Sequence, residues 1–349
     1  MEKQIKKCRK CLKLLPTNEK GEVMIKGDLC PDCLRELKMN AAIDWDERKR
    51  EFENIIEDIR GKHTFDGLVM LSGGKDSVYV AYLLSKIYKL NIVAITIDNG
   101  FEYDGTFENS SRLAKKLGIS HMIYRLPIEV MKKYYRFFLT EESVKLKDCS
   151  QICFFCGRLL KCISIKMAKQ LDVAAVFSGH TVEQVRALGD EKGKDSSYAI
   201  RQKYIQTYTE RNYEKVIKIL EEQNEKELIE LLKDNISINR FENFIYPLQY
   251  FEYKPIEIAE LLKKEVGWEA DTHFTGKYIS SGCKLAKIME YVAYKNNTDT
   301  YVEREFSDQI RRGSLTVEEV QEIMNSRIEV SEERKEIMEQ LSVTDDDLF

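Results

Sequence analysis

The segment LVMLSGGKDSVYVAYLL, Leu68 to Leu84, constrains this chain more than any other. FDGLVMLS reads as a short buried parallel strand, and DSVYVAYLLSKIYKL reads as a helix with Val78, Leu83, Leu84 and Ile87 on its inner side. A strand that turns through a glycine pair into a helix presents free backbone N–H groups and the positive end of a helix dipole at the turn, so it favours an anion. Ser72, Gly73, Gly74, Lys75, Asp76 and Ser77 occupy that turn, and Lys75 adds a cation. The alternation continues through LNIVAITIDNG, GTFENSSRLAKKLG and SHMIYRL, and a later run, DVAAVFSGH, reads as a further strand. This pattern predicts an α/β fold with a doubly wound parallel sheet, whose ligands sit at the carboxyl ends of the strands. Asp98 and the Gly179–His180 pair fall at such ends.

The totals narrow the function classes. A chain of 349 residues with 43% apolar and 33% charged residues has room for one large domain or a few smaller ones. A net charge of −4 argues against nonspecific coating of nucleic acid. No apolar run approaches the ~20 residues of a membrane span, and the opening MEKQIKKCRKC lacks the apolar core of a signal peptide, so a cytoplasmic protein without membrane contact is expected. In that reducing compartment nine cysteines read as ligands or reactive groups rather than disulfides.

Cys8 and Cys11, then Cys30 and Cys33, form two C-x2-C turns separated by eighteen residues. Two such turns complete a tetrahedron of thiolates with no open position, which predicts a structural zinc ribbon over residues 1–40. A linking helix follows within 41–63: Asp44 is placed to cap it, Glu47 stands three residues on, and Trp45, Phe52, Ile55, Ile56 and Ile59 form its apolar stripe.

Lys75 directly follows the second glycine, so the spacing of a Walker A loop is absent. SGGKDS instead closely resembles the PP-loop of the N-type ATP pyrophosphatases, in the adenine nucleotide alpha hydrolase superfamily. That resemblance implies that the loop grips the pyrophosphate end of ATP, that ATP is cut between its α and β phosphates, and that AMP is placed on a substrate carbonyl or amide oxygen. It gives Lys75 and Asp76 catalytic roles and puts Asp98 near ribose or Mg²⁺. Gly179 and His180 then fall at the nucleotide-side turn. The competing readings are a plain turn aspartate at Asp98 and a loop histidine at His180.

Two resemblances differ on what displaces AMP. The knuckles, the linking helix and the loop strand, with the ending REFSDQIRRGSLTVEEVQEIM, are similar to N-acetyl-sugar amidotransferases, which implies ammonia from a separate glutaminase. Cys153 and Cys156, ahead of the helix RLLKCISIKMAKQL, with the distant Cys283, resemble the tRNA thiolation enzymes of the PP-loop family. There such a trio holds a 4Fe–4S cluster, and three thiolates leave one iron open to carry sulfide. Buried core cysteines are the bland alternative. Cys149 is a candidate fourth ligand, and Cys162 reads as core. An amidotransferase has no evident need for these cysteines, so sulfur is favoured and nitrogen is the alternative; a non-catalytic ATP-binding scaffold is the weaker rival. The expected substrate is a small-molecule amide, sugar or nucleobase, or a tRNA, with a sulfur donor or glutaminase as possible partner and a homodimer as a possible assembly. The catalytic domain is expected over 64–250 with a helical lid or partner surface inserted at about 198–233. A helical region follows over 251–349, with Pro255 opening a helix, three helices expected after Cys283, and Arg311 and Arg312 placed either to clamp a phosphate or to lie solvated at a helix end.

Overall fold

The computed structural model describes residues 6–18, 22–36, 43–188, 196–233, 243–270, 282–326 and 331–349. Its centre is a five-stranded parallel sheet in the order β3-β2-β1-β4-β5. The strands are β1 Gly67–Met70, β2 Ile92–Asp98, β3 Ser120–Arg125, β4 Val176–Ser178 and β5 Phe244–Ile245. Leu68 of β1 pairs with Val93 on one side and Val176 on the other. The chain therefore builds outward from β1 to β3 and then returns to the opposite side of β1. That reversal opens a crevice at the carboxyl ends of β1 and β4, where a doubly wound sheet takes its ligand.

Helices cover both faces. The second cysteine turn enters α1 (Pro31–Glu36), and α2 (Trp45–Ile59) links it to the sheet. Then come α3 (Lys75–Tyr82), prolonged by a π turn to Ile87, α4 (Asp104–Leu117), α5 (Ile128–Thr140), α6 (Gln151–Gln170) and α7 (Val182–Leu188). After these follow α8 (Ser196–Glu222), α9 (Lys226–Leu232) and α10 (Pro255–Val266). The C-terminal part holds α11 (Ala286–Lys295), α12 (Tyr301–Arg312), α13 (Val317–Asn325), α14 (Ser331–Leu341) and α15 (Asp345–Leu348). None of the described helices is long and apolar enough to cross a membrane.

The period-two alternation of the strands divides the core. Val69, Leu71, Ile92 and Ala94 face Phe52 of α2, Val78 of α3, Leu113 of α4 and Leu262 of α10. Leu68, Val93 and Ile95 face Tyr135 of α5, Leu159 of α6, Ile288 of α11 and Ile337 of α14. The linking helix forms as its sequence dictates. Asp44 accepts the Glu47 N–H at 2.9 Å, a cap contributing about 1 kcal/mol, and Phe52, Ile56 and Ile59 are buried.

Two expectations change. The inserted helices do not stand free as a lid: Tyr213, Val216 and Leu220 of α8 and Leu228 and Leu232 of α9 are buried in the second core layer. The exposed apolar residues are in the first half of α8, at Ile200, Tyr204 and Tyr208. The sequence suggests three helices after Cys283, whereas five are described. Gly313, at a φ of 75°, ends α12; Thr316 and Glu319 open α13 with a reciprocal cap; and Asp347 accepts the Thr344 N–H at 2.7 Å, winding the acidic tail into α15.

Candidate functional site

The loop between β1 and α3 is held by its own side chains. Ser77 Oγ accepts the Ser72 N–H at 3.1 Å and donates to the Gly74 carbonyl at 3.0 Å. Gly73 adopts a φ of 74°, which a side chain would strain, and its carbonyl accepts from Asn109 Nδ2 and Trp268 Nε1, each at 3.0 Å. Gly179 supports the loop from β4, because a Cβ there would stand 2.6 Å from the Ser77 nitrogen. Lys75 is only 6% exposed; its Nζ pairs with Asp76 and donates to the Tyr253 hydroxyl at 2.6 Å. That hydroxyl donates in turn to Asp76 Oδ1 at 2.8 Å, so one tyrosine bridges the loop's cation and anion. Burial and the Asp76 charge hold the Tyr253 hydroxyl well above the usual range for ionisation.

This loop floors a cavity of about 400 Å³. His180 lines it from the end of β4, with Nδ1 2.6 Å from Ser178 Oγ. Glu102 and Cys283 line it from one side and Glu305 and Gln309 of α12 from another. Glu305 accepts from Thr181 Oγ1 at 3.1 Å, Gln184 Nε2 at 3.0 Å and Gln309 Nε2 at 3.2 Å. Burial, reinforced by the charges of Glu183 and Asp76, pushes its carboxyl up to about 7. Burial likewise raises Glu183, against the pull of the Arg312 guanidinium 3.4 Å away. Glu102 rises to about 7 because it is buried; Asn99 Nδ2, donating at 3.0 Å, opposes the shift and Asp98 adds to it.

Cys283 joins the cavity to a second group of thiols. Its backbone is bridged to Glu102, with the Tyr103 N–H donating to Gly282 and the Lys284 N–H to Phe101, both at 2.8 Å. Burial raises the Cys283 thiol far above its ordinary value, with Glu102, Cys156 and Cys153 adding to the shift. Cys156 shares a hydrogen bond of 3.1 Å with the Tyr135 hydroxyl, and burial raises it to about 11. Cys153 keeps solvent-accessible surface, yet enough protein surrounds its sulfur that desolvation pushes the thiol up to about 12. These three sulfurs do not all lie within 4.8 Å of one another, unlike the N-terminal four. Cys8 and Cys33 stand 3.7 Å apart and Cys11 and Cys30 stand 3.6 Å apart, all buried. Metal–sulfur bonds of ~2.3 Å in a tetrahedron place ligand sulfurs ~3.8 Å apart, so this is a ready four-thiolate site. Backbone N–H groups of Cys30 and Cys33 donate to Cys8 and Cys30 sulfurs at 3.3 and 3.5 Å.

The family model described as queuosine biosynthesis protein QueC matches residues 66–192, the stretch from β1 through α7 that carries the loop, Asp98, Cys153, Cys156 and the Gly179–His180 turn. The likeness to that family is confined to this stretch. An uncharacterized protein of Methanocaldococcus jannaschii is 27% identical over 155 residues, which is 44% of this chain and 51% of that protein. Cytoplasmic tRNA 2-thiolation protein 1 of Arabidopsis thaliana is 29% identical over 121 residues, 33% of this chain and 32% of that protein. The matched regions thus span about half and about a third of these curated relatives. The U34-tRNA thiolase NcsA from Methanococcus maripaludis, solved with its 4Fe–4S cluster, superimposes with a TM-score of 0.37 at 19% identity, covering 88% of this chain and 86% of that one.

Within residues 66–192 the structure brings Ser72, Gly74, Lys75, Asp76, Ser77, Gly179 and His180 to one cavity, and Cys283 reaches it from outside that stretch. Asp98 stands apart: Oδ1 accepts the Gly100 N–H at 2.8 Å and Oδ2 pairs with Arg125 at 3.3 Å, the posture of a turn aspartate. Cys149 and Cys162 are buried in core, and Cys149 is pushed up to about 12 by burial. Arg311 and Arg312 are neither a clamp at the loop nor solvated, since they meet Cys11 and Glu183. Sequence reasoning missed Tyr253, Glu102 and Glu305. Tyr253 and Glu102 lie in no site motif, and Glu305 falls within the quoted ending REFSDQIRRG without being singled out there; the spacing Glu305–Gln309, one helical turn apart, is the signal that α12 turns a polar pair inward.

Proposed function

We propose that this chain is an ATP-dependent adenylating enzyme that replaces a substrate carbonyl oxygen with sulfur. The observation that carries the reading is a single cavity with the PP-loop at its floor and Cys283 in its wall. ATP would lie with its β and γ phosphates on the Ser72–Ser77 N–H groups and Lys75. The substrate oxygen attacks the α phosphorus, the α–β bridging bond breaks, and pyrophosphate leaves into charges already arranged to receive it. Sulfur then attacks the activated carbon, and the carbon–oxygen bond breaks as AMP departs with the oxygen.

Asp76 and Glu305, which line the cavity, would hold Mg²⁺ beside the polyphosphate, and Cys8, Cys11, Cys30 and Cys33 would hold zinc. For a cluster, the fit is chemical. Cys153, Cys156 and Cys283 are too spread for a single tetrahedral ion, and their thiols stay protonated until iron draws off the protons. These three would hold a 4Fe–4S cluster whose open iron supplies sulfide. The 2-thiolation relative supports a tRNA base as substrate. The nitrogen reading draws on one feature: the two stretches similar to sugar amidotransferases touch each other, Arg311 against Cys11.

Metal and sulfide analysis of protein purified without oxygen tests the choice. About four iron and four sulfide beside about one zinc support sulfur insertion. Zinc alone, with ammonia-dependent AMP formation, supports amidation. AMP formation that ignores every candidate substrate defeats both.

A further inference from the structure

α12 is gripped from both sides. On its outer side it carries the cysteine knuckles. Asp299, just ahead of the cap residue Thr300, accepts the Leu14 N–H with both oxygens at 3.1 Å, and Lys7 pairs with Glu303 at 3.6 Å. Arg311 Nη1 donates to Cys11 Sγ at 3.0 Å while Nη2 pairs with Asp308. Ile310 packs on the knuckle core, and Leu12 packs beside Phe306. On its inner side the same helix faces the cavity with Tyr301, Val302, Glu305 and Gln309. Glu305 is tied to the segment after β4 through Thr181 and Gln184. At 100° per residue, Glu305 and Arg311 point to different sides of the helix. A helix of 12 residues, about 18 Å long, therefore spans from one thiol group to the PP-loop cavity.

We propose that the four-cysteine site positions the cavity wall: metal held by Cys8, Cys11, Cys30 and Cys33 fixes α12 through Arg311 and Asp299, and thereby fixes Glu305 beside the PP-loop. A closed structural site would need only to hold its own two knuckles together. Here a guanidinium that is largely buried is spent on one ligand sulfur, and its helix carries a carboxyl into the cavity. A metal binds thiolate rather than thiol, so occupancy turns the Arg311–Cys11 contact into a charge-assisted hydrogen bond, roughly twice as strong as a neutral one. Groups hydrogen-bonded to metal ligands commonly tune the site, and here the same contact acts outward. Arg311 is thus a positioning residue, and α12 is the element through which it acts.

The test is hydrogen–deuterium exchange of the full chain, zinc-loaded and after chelation under reducing conditions, and it needs no ATP. Its result is therefore separate from the fate of the adenylation reading. Exchange is expected to rise at least tenfold in α12 and in Thr181–Leu188 on zinc removal, with β2 and α4 unchanged. A change confined to residues 6–36, with α12 still protected, overturns the proposal. Should chelation unfold the whole chain, the zinc-loaded variants Arg311→Met and Arg311→Lys decide. Arg311→Met is expected to loosen Thr181–Leu188, and Arg311→Lys to restore most of its protection. Wild-type protection of that segment in Arg311→Met overturns it.

Discussion

The loop at the floor of the cavity and the thiol group that reaches it through Cys283 are built in opposite ways. At the loop end, six consecutive residues make the site, and they are braced by each other: Ser72 to Ser77, Lys75 to Asp76. At the thiol end, Cys153 and Cys156 come from α6 while Cys283 arrives from beyond α10, more than a hundred residues later. The first end is a local structure that any strand–glycine–helix turn approaches. The second exists only when the whole fold is assembled. A local site can be preformed and specific for a common ligand such as a polyphosphate. A dispersed one is where individual members of a fold can differ in chemistry.

Separating the two ends by mutation gives the largest expected effect. Cys283→Ala should abolish sulfur transfer while leaving substrate-dependent pyrophosphate release within about threefold of wild type. Loss of both activities would break the division, as would loss of neither. Lys75→Ala attacks the other end and should slow pyrophosphate release by about 10²–10³-fold, the usual loss when one donor to a developing charge is removed. Iron and zinc contents should stay unchanged by metal analysis, and near-normal release would sink the PP-loop reading.

Tyr253→Phe removes one hydroxyl that joins Lys75 to Asp76. A hydrogen bond to charged groups contributes about 1.5–3 kcal/mol, so a rise in the KM for ATP of about tenfold or more is expected from steady-state kinetics. The smallest effect concerns pH. Glu305 ionises at about 7, well above an ordinary carboxyl, so it is neutral below that value and negative above it. Without Mg²⁺, ATP affinity should fall a few-fold from pH 6 to pH 8 as this charge and that of Glu102 appear in the cavity, and Glu305→Gln should make the profile shallower by calorimetry. The sign for stability is the same: the folded state holds the proton more tightly, so this group's contribution declines as pH rises from the ordinary carboxyl range through about 7.

What could be read in advance follows the same division. The loop, the two C-x2-C turns and the linking helix are short-range patterns, and strand alternation with turn glycines carries the parallel sheet. Asp98 sits at a strand end as expected, but no sequence signal shows that Arg125, its pairing neighbour on β3, would claim it. Tyr253 lies in a tyrosine-rich run, YPLQYFEY, that reads as packing; only the tertiary fold turns one hydroxyl of that run onto Lys75. Glu102 and Glu305 are ordinary surface-type residues until burial raises them, and burial is a property of the assembled cavity. Arg311 likewise reads as a solvated helix end, because its sulfur partner is 300 residues away.

That separation has a consequence for synthesis. Leu14 docks on Asp299, a distance of 285 residues along the chain. At ~5–20 residues per second, a ribosome needs roughly 15–60 s to make the residues between them. The cysteine knuckles therefore emerge long before the helix they rest on exists. Their docking on that helix closes a loop of 285 residues, a late step of folding because the helix is made late.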